Sequence, residues 1–145
     1  MLNFELYNPT NYIFGKNQIE KLSKLIPEKA KILLAYGGGS IFKNGIYDSV
    51  IKNLAGFQVV EFGGIEPNPR FETLMKAVDV IKKENITFIL AVGGGSVIDG
   101  VKCVAADKNF TPSITLPPPT ARINVMFSFL MTSTAFISVD RKSVV

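Results

Sequence analysis

Twice in this chain a short apolar run breaks off into three glycines and a serine: residues 31–36 (KILLAY) precede 37–40, and residues 87–92 (TFILAV) precede 93–96. Runs of this length, almost wholly apolar and without alternation, predict strands buried on both faces of a parallel sheet. Helical spacing follows each glycine turn. After the first, Ile46, Val50 and Leu54 recur at four-residue intervals within an expected helix over 41–54; after the second, a helix is expected over about 97–106. Strand, glycine turn and helix therefore occur twice in the same order.

The remaining elements extend this alternation. Residues 11–14 predict a strand ending at Gly15, and Asn17 stands where it can cap a helix running through Leu22, Leu25 and Ile26. Residues 58–62 predict a further strand. The loop 63–69 (GGIEPNP) is denied regular structure by its prolines and glycines, and a long helix over 70–84 turns Leu74, Ala77, Val78 and Ile81 inward. Strands and helices joined by short connections predict an α/β fold, a doubly wound parallel sheet with helices on both faces. Ligands in such folds sit at the carboxyl ends of the strands. The pattern holds from 1 to 110, read as one incomplete α/β domain. Residues 111–120 are then rich in proline and 121–139 are apolar without a clean period, so no element is assigned there.

Composition narrows the function. The chain has 145 residues, 47% hydrophobic and 19% charged, which predicts one packed domain. Its net charge of +4 comes from sixteen basic residues scattered among twelve acidic ones, with no basic run of the kind that grips nucleic acid. A single cysteine, Cys103, excludes an internal disulfide. The opening MLNFELYNPT lacks the features of a secretory signal, and no apolar stretch reaches the ~18 residues a membrane span requires. The expectation is a cytoplasmic protein with neither nucleic-acid nor membrane partners. The chain contains no histidine, so any chemistry here proceeds without the commonest metal ligand and the usual acid or base near neutral pH.

Glycines between strand and helix let the backbone come close to an anion, because no Cβ intervenes and positive φ is accessible. The helix start adds unpaired N–H donors and partial positive charge. Phosphate or pyrophosphate is the natural ligand, with Ser40 and Ser96 placed to act as helix cap and hydroxyl donor. One such turn is more often only a tight turn; two in equivalent positions favour nucleotide binding. Neither matches the GxGxxG fingerprint or the GxxxxGK[ST] phosphate loop, so a different nucleotide fold is indicated. Asp99 is open to two readings, a hydrogen-bond acceptor for a ribose or nicotinamide group and a carboxylate favouring its helix start. Asn68, between Pro67 and Pro69, either presents its amide to the ligand or belongs to an ordinary turn.

The segments IFGKNQIEKL, YGGGSIFKNGIYD, EFGGIEPNPRFETLMKAV and FILAVGGGSVIDGVK together resemble the metal-dependent (iron-type) alcohol dehydrogenases, in particular their NADPH-dependent butanol dehydrogenase and aldehyde reductase branch. The likeness runs from Asn3 to about Phe110. It implies the N-terminal nucleotide-binding domain of the dehydroquinate synthase-like fold, in enzymes that interconvert primary alcohols and aldehydes by hydride transfer. It places Gly38, Gly39 and Ser40 beside the adenosine ribose. Asn68 and the segment carrying Gly94, Gly95, Ser96, Val97 and Asp99 then hold the pyrophosphate and the nicotinamide side. Other branches carry an aspartate in the first turn that would repel a 2′-phosphate; here there are glycines and Ser40, so NADP(H) is expected as the cofactor. The family's helical domain supplies one aspartate and three histidines to a divalent iron or zinc. That set is absent from this chain, and no catalytic or metal-binding residue is assigned. Intact members are expected to be homodimers.

After Phe110 the chain departs from the family pattern. TLPPPTARIN (115–124) is similar either to a TLPATGSE-like strand and turn or to the TLPPRQTANG-like start of the helical domain, and under the second alignment Phe127 and Met131 occupy positions of an Asp and a His ligand. Residues 111–139 are therefore read as aberrant or misjoined. The closing DRKSVV (140–145) would be encoded by GAT CGG AAG AGC GTC GTG, a match to a common sequencing adapter, and is read as an artefactual tail. The expectation is a dehydrogenase fragment without turnover of its own. The alternatives are a non-catalytic nucleotide-binding module and a truncated subunit that pairs with a full-length one.

Overall fold

The computed structural model describes residues 11–107, 124–131 and 134–140. Strand β1 (Asn11–Gly15) leads through a 3-10 turn (Gln18–Lys21) into α1 (Leu22–Leu25) and β2 (Lys31–Tyr36). Two short helices, α2 (Ser40–Lys43) and α3 (Ile46–Asn53), connect to β3 (Gln58–Phe62). Then come α4 (Phe71–Glu84), β4 (Phe88–Val92), α5 (Gly95–Asp107), β5 (Asn124–Met131) and β6 (Thr134–Asp140).

The strands form one six-stranded sheet in the order β1-β6-β5-β4-β2-β3. β3, β2, β4 and β5 run parallel, while β6 lies antiparallel between β5 and β1. β2 and β4 occupy the middle, which explains their unbroken apolar sequences. Ile32, Leu33, Leu34 and Ala35 of β2 and all five residues of β4 are buried, so each strand has both faces covered.

Two cores lie on the two faces. On one, Ile32, Leu34, Phe88 and Leu90 pack with Leu22, Ile41 and Val50 from the first three helices and with Leu54 at the end of α3. On the other, Leu33, Ile89 and Ala91 pack with Leu74, Val78 and Ile81 of α4 and with Val97, Val101 and Val104 of α5. Helices on both sides of a largely parallel sheet make this the doubly wound α/β fold that the alternation predicts.

Three local differences from the sequence expectations have physical causes. The helix expected over 41–54 is split, because Gly45 takes φ 72° and the Asn44 side chain accepts the Ile46 N–H at 3.2 Å, starting a new helix there. The helix after Asn17 is only a 3-10 turn and one α-turn; Asn17 itself is left-handed (φ 58°) and makes no capping bond through its side chain. The stretch 121–139, to which no element was assigned, contains β5 and all of β6 but its last residue, whose apolar runs lack alternation. The proline-rich 111–120, the first ten residues and 141–145 lie outside the described residues.

Candidate functional site

The chain order sets the site. From β2 the chain moves outward to β3, then crosses back over β2 to β4 and on to β5. The winding reverses between β2 and β4, and the crevice outside the carboxyl ends of those two strands is where this architecture takes ligands. Both glycine turns open from it. Tyr36 pairs with Val92 in the parallel register, so the two turns begin side by side.

Within each turn the glycines divide into two kinds. A Cβ on Gly93 would stand 2.7 Å from Val97 Cγ2, and one on Gly37 would meet Ile65 O at 3.2 Å and Val97 Cγ2 at 3.3 Å. The first glycine of each turn therefore serves packing around a shared Val97. Gly38, Gly94 and Gly95 face open space, with no heavy atom within 4 Å of a notional Cβ. Only the last kind is free to admit a ligand against the backbone.

The second turn runs into α5, which begins at Gly95, two residues ahead of the expected start. The N–H groups of Val97 and Ile98 are bonded to Gly94 O, at 3.1 and 3.2 Å, closing the first turn of the helix. Those of Gly95 and Ser96 have no helical carbonyl before them and point out of the helix start, as an anion site requires. Gly39 (φ 99°) takes the cap position of α2, so Ser40 lies within the helix. Ser96 likewise lies inside α5, so neither serine caps; the glycines ahead of them turn the chain first.

The loop between β3 and α4 backs both turns. Gly64 and Ile65 donate to Gly37 O (3.3 Å) and Tyr36 O (3.1 Å). Asn68, left-handed at φ 51°, donates its backbone N–H to Ser96 Oγ at 3.4 Å, which joins the Pro-Asn-Pro turn to the second glycine turn. Glu66, which the sequence reading passed over, organises this loop. Its Oε1 accepts the Arg70 N–H (3.0 Å) and the Thr73 hydroxyl (2.9 Å), capping α4 from four residues upstream. The Arg70 N–H, then its own backbone N–H and the Thr73 hydroxyl, hold its carboxyl below the usual carboxylate range. The four-residue spacing of Glu66 to the helix start was the available signal.

Of the expected site residues, Gly38, Gly39 and Ser40 belong to the first turn, Gly94, Gly95 and Ser96 to the second beside it, and Asn68 to the loop bonded to the second. Val97 stands apart: 5% exposed, it is part of the core beneath the turns. Asp99 is on the exposed flank of α5, 3.6 Å from Lys102 Nζ.

A second missed group borders the first turn. Tyr36 and Tyr47 both donate to Glu61, at 2.8 and 2.7 Å; the Tyr36 ring packs edge-on to Tyr47 and to Phe42, and Tyr47 lies tilted against Phe42. Burial, then the bond to Glu61, pushes the Tyr36 hydroxyl up to about 12. Their aromatic character at positions 36, 42 and 47 was visible, but only the folded helix pair brings them together.

A divalent metal does not fit the residues present. Among the described residues no group of three or more His, Cys, Asp or Glu comes together, and the whole chain has no histidine. Likewise, no described helix is long and apolar enough to cross a membrane.

Comparison with known proteins agrees with this geometry. NADPH-dependent aldehyde reductase YqhD of Escherichia coli is 52% identical over 114 residues, covering 79% of this chain and 30% of that protein. The crystal structure of Escherichia coli YqhD superposes with a TM-score of 0.79 at 44% identity, over 88% of this chain and 35% of that one. NADH-dependent butanol dehydrogenase A of Thermotoga maritima does so with a TM-score of 0.71 at 45% identity, over 74% and 28%. The chain thus spans about a third of the length of these relatives. The sequence model of iron-containing alcohol dehydrogenases matches residues 9–127, and the chain belongs to that family.

Proposed function

We propose that this chain provides the nucleotide-binding half of an NADP(H)-dependent alcohol dehydrogenase or aldehyde reductase, in which hydride transfer interconverts primary alcohols and aldehydes. One observation carries the reading: two open glycine turns lie side by side at the switch point of a doubly wound sheet. In this reading the N–H groups of Gly95 and Ser96 hold the pyrophosphate, with Gly94 leaving room for it. The bond from Asn68 to Ser96 fixes the loop over that end, and Asp99 lies toward the nicotinamide side. Gly38, Gly39 and Ser40 receive the adenosine ribose. No acid stands in residues 37–40 to repel a 2′-phosphate, which favours NADP(H) over NAD(H). The relatives divide on this point, one being named for NADPH and another for NADH.

Bound nicotinamide would supply the hydride, and the chain's own residues bind and orient it. Among the described residues there is no metal set to polarise a substrate oxygen, and the chain has no histidine, so in this reading it binds nucleotide without turning over. Titrating the purified chain with NADPH and NADH by calorimetry tests this: NADPH binds more tightly, and aldehyde reductase assays with added iron or zinc stay at background. Absence of binding by both nucleotides, or metal-dependent turnover, overturns the proposal. The lack of histidine also favours a second reading, a non-catalytic subunit paired with a full-length enzyme. Nucleotide binding by the chain alone, unaltered by such a partner, argues against that version.

A further inference from the structure

The aromatic group beside the first glycine turn has no part in holding phosphate. Phe42, in the short helix that follows that turn, keeps 49% of its surface exposed. A single exposed apolar ring is ordinary on a protein surface; the support behind this one is not. Its backbone N–H is bonded to Gly39 O at 3.2 Å, and its Cδ2 would lie 3.6 Å from a Cβ on Gly39, so the ring is held against the turn itself. Tyr36 meets it edge-on at 5.5 Å between centroids, and Tyr47 lies tilted against it at 4.6 Å. Both tyrosine hydroxyls are tied to Glu61, which fixes the two supporting rings. Gly38, the residue before Gly39, leaves open space where a Cβ would stand.

We propose that Phe42 is the stacking surface for the purine base of the bound dinucleotide, held rigid by Tyr36 and Tyr47. This deepens the nucleotide-binding reading and rests on it. A planar base joined to a ribose over Gly38 and Gly39 reaches a ring fixed three to four residues farther on. Stacking of a base on an aromatic side chain needs only an exposed, immobile π-face. The site would recognise the adenosine half and be indifferent to the nicotinamide half.

The chain has no tryptophan, so Phe42→Trp installs a single fluorescent reporter at the proposed surface. Adenosine 2′,5′-bisphosphate, which carries no nicotinamide, is expected to quench its emission saturably, while nicotinamide mononucleotide leaves it unchanged. Phe42→Ala, at an exposed position where folding is checked by circular dichroism, is expected to weaken NADPH binding about tenfold, with mononucleotide binding unaltered. Lack of NADPH binding by the wild-type chain in calorimetry would sink the underlying nucleotide reading. Wild-type binding together with an unquenched tryptophan and an unweakened Phe42→Ala variant would overturn the stacking role alone.

Discussion

Residues 37–40 lead into a helix of four residues that gives way at Gly45, whereas residues 93–96 lead into one of thirteen. The letters GGGS are the same in both places. A helix start attracts an anion through its unpaired N–H groups and the aligned peptide dipoles behind them, and a four-residue helix has few of the latter. The second turn is also braced by Asn68, while the first is flanked by aromatic rings. In the proposed reading, equal motifs divide the labour, the second turn taking phosphate charge and the first giving space for the sugar and base.

The largest effect that can break this comparison comes from filling the open glycines. Gly94→Val should weaken NADPH binding by about 100-fold, the equivalent of losing about two charge-assisted hydrogen bonds, while Gly38→Val should cost about tenfold. Both should leave stability within about 0.5 kcal/mol, because nothing lies within 4 Å of either Cβ. Calorimetric titration of the two variants checks the ranking. Equal losses would show that helix length does not separate the turns.

The packing glycines should behave in the opposite way. Gly93→Ala drives a methyl to 2.7 Å from Val97 Cγ2, an overpacking expected to cost about 1–3 kcal/mol in urea unfolding. Gly37→Ala, whose contacts are 3.2 and 3.3 Å, should cost less. Val97 makes both glycines necessary, and a Gly93→Ala chain as stable as the parent would separate that glycine from the core argument.

Much of this was legible in the sequence because burial on both faces writes itself as unbroken apolar runs. KILLAY and TFILAV announced β2 and β4, and the spacing of Leu74, Ala77, Val78 and Ile81 announced α4. What escaped was set by single residues or by distance along the chain. Gly45 split a helix whose apolar stripe is continuous on either side of it. Glu61 sits in a strand and reaches two tyrosines from other elements, so no local pattern marks it. The packing role of Val97 became visible only when the sheet order brought Gly37 and Gly93 together. Residues 121–139 were unreadable because apolar runs with neither helical period nor alternation do not distinguish a strand from a helix.

On the side of the first turn, the Tyr36 hydroxyl sharpens the contrast through pH. Its ionisation lies above the ordinary 10.0, at about 12 in the folded chain, so the protonated form is favoured by folding. The stability this confers is complete below pH 10 and is lost as the pH rises toward 12. Relative to Tyr36→Phe, the wild-type chain should be moderately more stable below pH 10, with the difference shrinking across that window. Parallel pH curves for the two chains in thermal unfolding would show that neither burial nor the bond to Glu61 raises the hydroxyl's ionisation.

On the side of the second turn, Glu66 gives the smallest effect and the opposite sign with pH. Its carboxyl is held below 4.5 chiefly by the Arg70 N–H, so folding favours the charged form. The resulting stability is present above pH 4.5 and disappears as the pH falls through the lower folded value. Glu66→Gln keeps an oxygen for Arg70 and Thr73 while removing the charge at the start of α4, so Tm should drop by only a few degrees near neutral pH. The two chains should converge in acid. Because the same carboxylate shapes the turn from which Asn68 reaches Ser96, the variant should also bind NADPH slightly more weakly, whereas Tyr36→Phe should leave phosphate binding alone. If Glu66→Gln instead left both Tm and NADPH affinity unchanged, the brace on the second turn would have to come from the prolines around Asn68, with the carboxylate a bystander.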